Sequence, residues 1–382
     1  MHFLIIAVNY TIRYCIYLGT VRNYLMSIIA TFIINYTQLI NENGQLINTL
    51  PTCANTKEQL VELYRVMNLI RAFDKKAIAL QRTGQIGTYA PIHGQEAIAT
   101  AIGYVMHPND VFIPYYRDYA AQIQRGVKMS EILAYWGGDE RGNCFSHNNK
   151  DLPICVPIAS QCLHAAGIAY AFKYRQQQHV AVASIGDGGT SEGDFYEALN
   201  ALGALNLPAV FIINNNQWAI SVPLNKQTHC QTLAQKAIAA GCNNIQVDGN
   251  DVLACCQVLT QAIENARNGD GPTLIEAISY RLSDHTTADD ANRYQPSAEV
   301  ENARTKEPIK RLKIFLEQEF QWNDTLEQNM QNTITLEIKN AVDEYLSIKP
   351  QEITSMFDYH YKNLPEYLIE QRAIAIEEAQ NV

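Results

Sequence analysis

The chain has 382 residues, of which 47% are hydrophobic and 18% charged, and its formal net charge is −10 at pH 7. This composition is typical of a globular protein with a sizeable core, in two domains or in one large domain with extensions. It argues against a nucleic-acid partner, because binding to phosphates needs a basic surface and no block of Lys and Arg is present. The nine cysteines include no C-x-x-C pair, which predicts free thiols in a reducing cytoplasm.

The first forty residues are apolar and rich in tyrosine, and residues 23–40 carry no charge. A membrane-spanning helix needs roughly 20 mostly apolar residues, whereas polar side chains interrupt this stretch. A signal peptide begins with basic residues, but here Arg13 and Arg22 come late. We therefore expect no membrane partner, and we expect 1–31 to be a poorly defined extension with Met26 as the natural start.

Two elements are predicted next. Asn43-Gly44 lies between two apolar runs, which predicts a small β-hairpin over 32–49. Thr56 and Gln59 have the spacing of a helix-capping box. Apolar residues then recur at helical spacing until Gly84, a residue typical of a helix end. We expect the hairpin and the helix to pack on the main domain.

Helix-like and strand-like runs alternate from about residue 94 onward. The predicted strands lie in DVFIPYYRD, HVAVASI, PAVFIINN and PTLIEAISYRL. Because apolar runs of this kind are typical of strands buried on both faces, we predict an α/β fold with a doubly wound, mostly parallel sheet. In such sheets, ligands bind beyond the carboxyl ends of the strands.

The sequence predicts four regions. Their bounds are 1–31 for the extension, 32–90 for the hairpin and helix, 91–296 for the main domain, and 297–382 for a C-terminal helical extension. The polar segment Ser283–Gln295 closes the main domain, and we expect it to be a mobile surface loop.

Small polar clusters follow two successive predicted strands. Gly186-Asp187-Gly188-Gly189 comes after one strand, and Asn214-Asn215-Asn216 comes after the next. Because parallel strands end at the same sheet edge, Asp187 can supply a carboxylate, Asn216 an amide oxygen, and a nearby backbone carbonyl a third oxygen. Such oxygen ligands suit Mg²⁺, and the amino end of the following helix favours a phosphate. The pattern predicts a magnesium–diphosphate site.

Other motifs fit this stretch less well. A dinucleotide fingerprint needs a third glycine where Ser191 stands, and an acid rather than an asparagine after the next strand. A P-loop needs Gly-Lys followed by Ser or Thr, which the chain lacks. From these residues alone, a glycine-rich turn that only caps the following helix remains an alternative interpretation.

Much of the chain resembles the alpha subunits of bacterial pyruvate dehydrogenases, the decarboxylating components of 2-oxo acid dehydrogenase complexes. The resemblance covers about residues 32–370 and does not include the extreme N-terminus. It rests on the stretches PYYRDYAAQIQRG, VPIASQCLHAAGIAYAFKYR, IGDGGTSEGDFYEALN, NNQWAISVPLNKQT, AQKAIAAGCNNIQVDGNDVLA, GPTLIEAISYRLSDHTTADDANRY and ITSMFDYHYKNLP.

The resemblance implies a thiamine diphosphate-binding fold with defined residue roles. Mg²⁺ would be held by the side chains of Asp187 and Asn216 and by the backbone carbonyl of Trp218, where the family usually has Tyr. The further cofactor-binding residues that the resemblance implies are Tyr116, Arg117, Val156, Ile158, Gly188, Gly189 and His285. Of these, His285 would lie next to the reactive carbon and transfer protons, since imidazole titrates near neutrality.

The sequence leaves the roles of several other side chains open. A substrate role for His93 is uncertain from the sequence, because the catalytic histidine of some relatives lies three residues earlier, at the position of Ala90. His107 and His164 are predicted to be structural. Thr286 stands where mitochondrial relatives carry a phosphorylated serine, and we expect no such control here.

The resemblance implies oxidative decarboxylation of pyruvate with thiamine diphosphate and Mg²⁺, followed by transfer of the acetyl group to the lipoyl group of a dihydrolipoyl acyltransferase. A beta subunit would supply the carboxylate that faces the cofactor's pyrimidine, in a cytoplasmic α2β2 heterotetramer. Alpha subunits of branched-chain 2-oxo acid (2-oxoisovalerate) or acetoin dehydrogenases share these motifs and remain alternatives. A catalytically silent thiamine-binding subunit and a nicotinamide oxidoreductase are alternatives from other classes.

Overall fold

A computed structural model describes residues 28–148 and 150–380. The chain divides into two units, residues 1–33 and residues 34–382. In the first unit, the described residues 28–33 form neither helix nor strand. The predicted start at Met26 and most of the predicted extension lie outside the described residues. None of the helices in the described part of the chain is long and apolar enough to span a membrane.

The strands of the described residues are β1 (Tyr36–Thr37), β2 (Val111–Ile113), β3 (Ala181–Gly186), β4 (Ala209–Asn215), β5 (Trp218–Ala219), β6 (Val222–Pro223), β7 (Asn243–Asp248) and β8 (Thr273–Ile278). Six of them form one sheet in the order β1-β7-β8-β4-β3-β2, in which every neighbouring pair is parallel. The strands β5 and β6 form a separate antiparallel pair. The parallel sheet predicted from the alternating apolar runs is confirmed.

Helices cover both faces of the sheet. Their bounds are α1 (Lys57–Arg82), α2 (Glu96–Val105), α3 (Tyr119–Gln124), α4 (Met129–Trp136), α5 (Ser160–Tyr174), α6 (Gly193–Leu205), α7 (Leu224–Gln227), α8 (Lys236–Ala240), α9 (Val252–Asn268), α10 (Ser297–Thr305), α11 (Pro308–Phe320), α12 (Asp324–Leu346), α13 (Ser355–Asp358) and α14 (Glu366–Gln380). Alternate residues of β4 enter two cores: Val210 and Ile212 pack in one core with α1, α2 and α9, and Phe211 and Ile213 pack in the other with α5 and α6. This alternation is what the pleat of a strand covered on both faces requires.

The N-terminal helix begins as predicted. Thr56 accepts a hydrogen bond from the Gln59 backbone, and the Gln59 side chain accepts one from the Thr56 backbone, so the capping box is complete. The helix α1 ends at Arg82, and Gly84 follows with a φ of +73°. This is the left-handed conformation that glycine adopts without strain after a helix.

The hairpin predicted over 32–49 is present only around its turn, where the Asn41 N–H donates to the Gln45 carbonyl at 2.9 Å and the Ile47 N–H to the Leu39 carbonyl at 2.8 Å. Its antiparallel pairing is limited to one bridge between Ile40 and Leu46, and β1 pairs in parallel with β7 instead. The Oδ2 of Asp251 accepts the backbone N–H groups of Leu39 and Ile40 at 2.6 and 2.7 Å. The Leu39 N–H is therefore not available to extend the ladder of this short hairpin.

The strand β7 was not predicted, because its sequence NNIQVD has no apolar run. It exists because it pairs with β8 on one side and β1 on the other. The C-terminal helices were predicted, and α12 packs against α1 and α4. The subdivision into 32–90, 91–296 and 297–382 stays a prediction.

Candidate active site

The carboxyl ends of β3 and β4 meet at one edge of the sheet, where Gly186 pairs with Asn214. A cavity of about 230 Å³ lies at this edge. The predicted site residues that line it are Tyr116, Arg117, Ile158, Asp187, Gly188, Gly189, Asn216, Trp218 and His285. Val156, predicted to act through its backbone, does not line this cavity, and it is 48% exposed. The structure thus brings together all but one of the predicted site residues.

Asp187 follows β3 directly and is only 1% exposed. Its Oδ2 accepts a hydrogen bond from Gln227 Nε2 at 2.7 Å, whereas its buried Oδ1 has no partner. Burial raises the pKa of Asp187 to about 6, and the hydrogen bond from Gln227 opposes that rise. Because a buried carboxylate oxygen without a partner is unfavourable, this side chain is suited to bind a cation.

Asn216 and Trp218 follow β4 and face the same cavity. Asn216 Nδ2 donates to Gln95 Oε1 at 3.0 Å, and the Trp218 backbone N–H donates to Asn216 Oδ1 at 3.2 Å. This orients the Asn216 amide oxygen toward the turn after β4. We call Asp187, Asn216 and Trp218 the cation wall, because together they offer a carboxylate, an amide oxygen and a backbone carbonyl, which are the ligand types that Mg²⁺ takes in proteins.

The glycines after Asp187 are required by close packing. A Cβ atom on Gly188 would lie 2.5 Å from Ala219 Cβ. One on Gly189 would lie 2.6 Å from Ile185 Cγ1 and 3.2 Å from Ile158 Cγ2. Since real Cβ atoms do not approach so closely, any larger residue would displace these neighbours, which themselves line the cavity. The two glycines keep the space beside Asp187 open for a ligand.

A second group of side chains lies at the cavity, where Arg117 and His285 line it and Arg281 contacts both His285 and the Trp218 carbonyl. Arg117 Nη2 donates to His285 Nδ1 at 2.9 Å and to the His285 carbonyl at 2.7 Å. Arg281 is fully buried and donates to the carbonyls of Trp218 at 3.4 Å and Ile220 at 2.8 Å. We call Arg117, Arg281 and His285 the arginine cluster. It presents positive charge to a site whose cation wall is acidic.

The surroundings of His285 fix its protonation. Burial, together with the charges of Arg117 and Arg281, lowers its pKa to about 3, while Asp289 opposes this shift. An arginine can only donate, so Nδ1 accepts and the neutral ring carries its proton on Nε2. The expectation that this imidazole titrates near neutrality is therefore wrong for the protein without an anionic ligand, because two guanidinium groups face the ring.

The segment Ser283–Gln295, predicted as a mobile loop, is held by polar contacts. The backbone N–H of His285 donates to Asp289 Oδ2 at 2.8 Å, and the N–H of Ala291 donates to Asp284 Oδ1 at 2.8 Å. The Tyr294 hydroxyl also donates to Asp289. Carboxylates within the segment thus replace the apolar anchors that its sequence lacks, and its mobility stays a prediction.

The remaining candidates lie at different distances from the cavity. The Tyr116 ring lines it, and the Arg117 guanidinium lies 5.1 Å from the ring centre. His93 does not line the cavity; its carbonyl accepts the Leu282 N–H at 3.1 Å, and burial lowers its pKa to about 4. The Thr286 hydroxyl accepts the Ala288 N–H at 3.3 Å. A substrate role for His93 gains no support from these contacts.

Three residues that shape the site were missed. Arg281 follows β8, a third strand that ends at the same edge, and this position was the signal that could have found it. Gln95 orients Asn216 from the start of α2, and Gln227 holds Asp187 from α7. No spacing in the sequence indicates either contact, because each one joins elements that are distant in the chain.

The cation wall offers one carboxylate, that of Asp187, and a second carboxylate, that of Glu192, also lines the cavity. Across 28–148 and 150–380, no three His, Cys, Asp or Glu side chains cluster as they would in a site built from such ligands alone. Asp187 supplies the charge, and neutral oxygens of Asn216 and Trp218 lie beside it. Such a site binds a cation best when an anionic ligand adds further oxygens, and the arginine cluster is placed to hold that anion.

Comparison with known proteins agrees with this geometry. A family model described as dehydrogenase E1 component matches residues 64–354. The chain is 40% identical over 338 residues to a Mycoplasma genitalium protein named pyruvate dehydrogenase E1 component subunit alpha, covering 88% of this chain and 94% of that one. A Staphylococcus aureus protein of the same name is 41% identical over 338 residues, covering 88% and 91% of the two chains. The family match spans every residue that lines the cavity.

Proposed function

The chain belongs to the dehydrogenase E1 component family, and on that premise we propose that it is the alpha subunit of a pyruvate dehydrogenase. In this role it takes part in the oxidative decarboxylation of pyruvate and in transfer of the acetyl group to the lipoyl group of a dihydrolipoyl acyltransferase. The complete complex then gives acetyl-CoA and CO2. The choice of pyruvate rests on the names of relatives that are 40–41% identical over most of both chains.

One observation in the site carries the proposal. The buried Asp187 Oδ1 has no partner, and it faces a cavity that Arg117 and His285 also line. A free carboxylate oxygen on one wall calls for a cation, and a guanidinium group on another calls for an anion. The Mg²⁺–diphosphate end of thiamine diphosphate satisfies both at once.

The residues of the cavity divide into three roles. Asp187, Asn216 and the Trp218 carbonyl would hold Mg²⁺. The residues that would hold the diphosphate are Tyr116, Arg117, Gly188 and Gly189, and those whose backbone would flank the thiamine rings are Val156 and Ile158. The glycines fit this role because they leave the backbone bare, so that no side chain stands between it and the ligand.

Thiamine diphosphate supplies, when bound, the carbon nucleophile for the keto group and the acceptor for the electrons released with CO2. His285 is the residue that we assign to proton transfer, and it holds its proton at Nε2 because Nδ1 accepts from Arg117. A diphosphate beside the arginine cluster would offset the two guanidinium charges and raise the pKa of this imidazole toward its ordinary value.

A partner is needed to complete the site. Apolar side chains near the cavity are exposed: Val156 at 48%, Ile158 at 47% and Ile220 at 56%. We propose that a beta subunit covers them, supplies the carboxylate for the pyrimidine ring, and forms an α2β2 heterotetramer in the cytoplasm. Exposed apolar groups of this kind are typical of an interface.

The test is decarboxylation by the purified chain, assayed with an artificial electron acceptor and with thiamine diphosphate and Mg²⁺ in excess. We expect no turnover by the chain alone, turnover after addition of the beta subunit, and a higher kcat/KM for pyruvate than for 2-oxoisovalerate. Turnover without a partner would contradict the shared site. A preference for 2-oxoisovalerate would assign the chain to a branched-chain 2-oxo acid dehydrogenase.

A further inference from the structure

We propose that Asp74 on α1 is a positioning residue for this reaction, which holds the backbone of residues 89–92 so that they fix Arg117 and the loop that carries His285. The proposal rests on the proposed function for the reaction that it serves. Its structural basis is a chain of hydrogen bonds that begins in the protein core and ends at the His285 ring.

Asp74 is an acid in an otherwise apolar core. It is 3% exposed, and its helix neighbours Ile70, Phe73 and Ala77 are fully buried or nearly so. Its Oδ1 accepts the Tyr89 hydroxyl at 2.6 Å, and its Oδ2 accepts the Ile92 backbone N–H at 2.7 Å. Both carboxylate oxygens therefore bind the segment between α1 and α2, one near each end of residues 89–92.

The segment that Asp74 holds carries the contacts of the arginine cluster. The Pro91 carbonyl accepts Arg117 Nη1 at 2.7 Å. The Tyr89 carbonyl accepts the Thr287 N–H at 2.9 Å, and the Tyr89 N–H donates to Thr287 Oγ1 at 3.0 Å. Residues 89–92 thus orient the guanidinium from one side and anchor the His285 loop from the other.

Arg117 completes the connection. While Nη1 donates to Pro91, Nη2 donates to both the ring and the carbonyl of His285. A guanidinium is planar, so fixing Nη1 also fixes the direction in which Nη2 points. A shift of the Pro91 carbonyl would therefore weaken the hydrogen bond from Arg117 to His285 Nδ1 and leave this atom with the longer contact from Arg281 Nη1 at 3.4 Å.

The charge of Asp74, as well as its shape, is involved in holding residues 89–92. Burial raises the pKa of Asp74 to about 7; the Tyr89 hydroxyl and the Arg117 charge lower it, and Glu96 raises it. The Tyr119 ring also stacks on Tyr89 within this core, with ring centres 5.4 Å apart. An Asp74→Asn variant keeps the shape and removes the charge, whereas Asp74→Ala removes both hydrogen bonds, so the pair separates the two contributions.

The matched control is Asp110→Asn. Asp110 is also fully buried, accepts the Val180 N–H at 3.0 Å and pairs with Arg267 at 2.9 Å. It directly precedes β2 and so lies at the amino end of the sheet, opposite the cavity. Its replacement should lower the free energy of unfolding without reaching the arginine cluster.

The experiment compares these variants in the assembled enzyme. Three quantities are measured: the Kd for thiamine diphosphate with Mg²⁺, the rate of proteolysis within 283–295 without cofactor, and kcat and KM for pyruvate. For Asp74→Ala we expect a Kd raised about 10- to 100-fold, the range for loss of outer-shell partners, faster proteolysis of the loop, and a lower kcat. Asp110→Asn should leave the proteolysis rate and the Kd at wild-type values.

If Asp74→Ala showed the wild-type rate of loop proteolysis and the wild-type Kd for thiamine diphosphate, the proposal would be overturned, even if the melting temperature of the variant fell. If that variant does not fold, Tyr89→Phe, which removes one bond only, must show the same changes to a smaller degree, and their absence would overturn it equally. Failure of the proposed function is a separate result, because it would appear as a wild-type enzyme that does not use pyruvate. Loop proteolysis and cofactor affinity would still decide the role of Asp74.

Discussion

The two sides of the cavity are built in different ways. The residues of the cation wall, Asp187, Asn216 and Trp218, lie within 32 positions of one another and follow neighbouring parallel strands. The arginine cluster joins residues that are 168 positions apart, and backbone carbonyls of three separate segments hold its guanidinium groups. The register of the sheet places the residues of the first side, and Gln95 and Gln227 orient two of their side chains, whereas the second side depends on loops that the rest of the fold must position.

The two sides also shift the pKa values of their titratable side chains in opposite directions. Burial raises the pKa of Asp187 to about 6, and burial together with two arginines lowers the pKa of His285 to about 3. Each shift favours the neutral form in the free protein. A ligand that carries a cation at one end and a diphosphate beside it would oppose both shifts, because the cation favours the Asp187 carboxylate and the diphosphate offsets the charges of the two arginines.

The largest effect should come from the cation wall. Asp187→Ala removes the charged ligand, so we expect the affinity for thiamine diphosphate in the presence of Mg²⁺ to fall more than about 100-fold, beyond the loss of an outer-shell partner. Titration of cofactor against the assembled enzyme measures it. Asp194→Ala, an acid in the first turn of α6 outside the cavity, is the control. If the Kd of Asp187→Ala were unchanged, the assignment of the cation to this wall would be wrong.

Within the arginine cluster, His285 should act on rate more than on binding. His285→Ala is expected to lower kcat by about 10²- to 10⁴-fold, the usual contribution of a general acid or base, with a small change in cofactor affinity. Steady-state kinetics and cofactor titration separate the two effects. The exposed His107 serves as the control position. If His285→Ala weakened the cofactor as much as Asp187→Ala does, the two sides would not have separate roles.

The pH dependence of binding sharpens the difference. Because free Asp187 has a pKa raised to about 6, a cation must displace its proton below that pH, and cofactor affinity should fall about tenfold per pH unit. In the free protein the same shift lowers stability as pH rises from about 4 to 6, since the native state holds this proton more tightly than the unfolded chain. Calorimetric titration from pH 5 to 8 tests the binding, and a flat profile would contradict the shift.

The smallest effect should come from a position that belongs to neither side. Thr56→Ala removes the side chain of the capping box at the start of α1, so we expect a loss of about 1 kcal/mol in the free energy of unfolding. Cofactor affinity should not change. Urea unfolding and cofactor titration measure the two quantities, and a weaker affinity would mean that α1 transmits general instability to the cavity.

The sequence predicted the cation wall because its residues obey a local rule. Polar side chains that follow buried parallel strands converge at one edge, and Asp187 and Asn216 do so. The same rule would have found Arg281 after β8. The strand β7 was not predicted, because its polar residues form no apolar run. Its stability depends on the strands that pair with it.

Contacts between distant segments could not be predicted in this way. The hairpin predicted over 32–49 does not extend before Leu39, because a carboxylate some 200 residues later, Asp251, accepts the Leu39 N–H. The clamp of Asp74 on Tyr89 and Ile92 has no periodic pattern either. Such contacts depend on which segments the completed sheet brings together, and the spacing of residues within one segment does not indicate which segments these are.

The separation of 168 residues between Arg117 and His285 affects the order of events on the ribosome. At roughly 5–20 residues per second, His285 is synthesised roughly 8–34 s after Arg117. Throughout that interval the guanidinium, which is 1% exposed in the folded protein, lacks two of its acceptors. The nascent chain can therefore assemble β2, β3 and β4 before translation delivers His285 to the cavity.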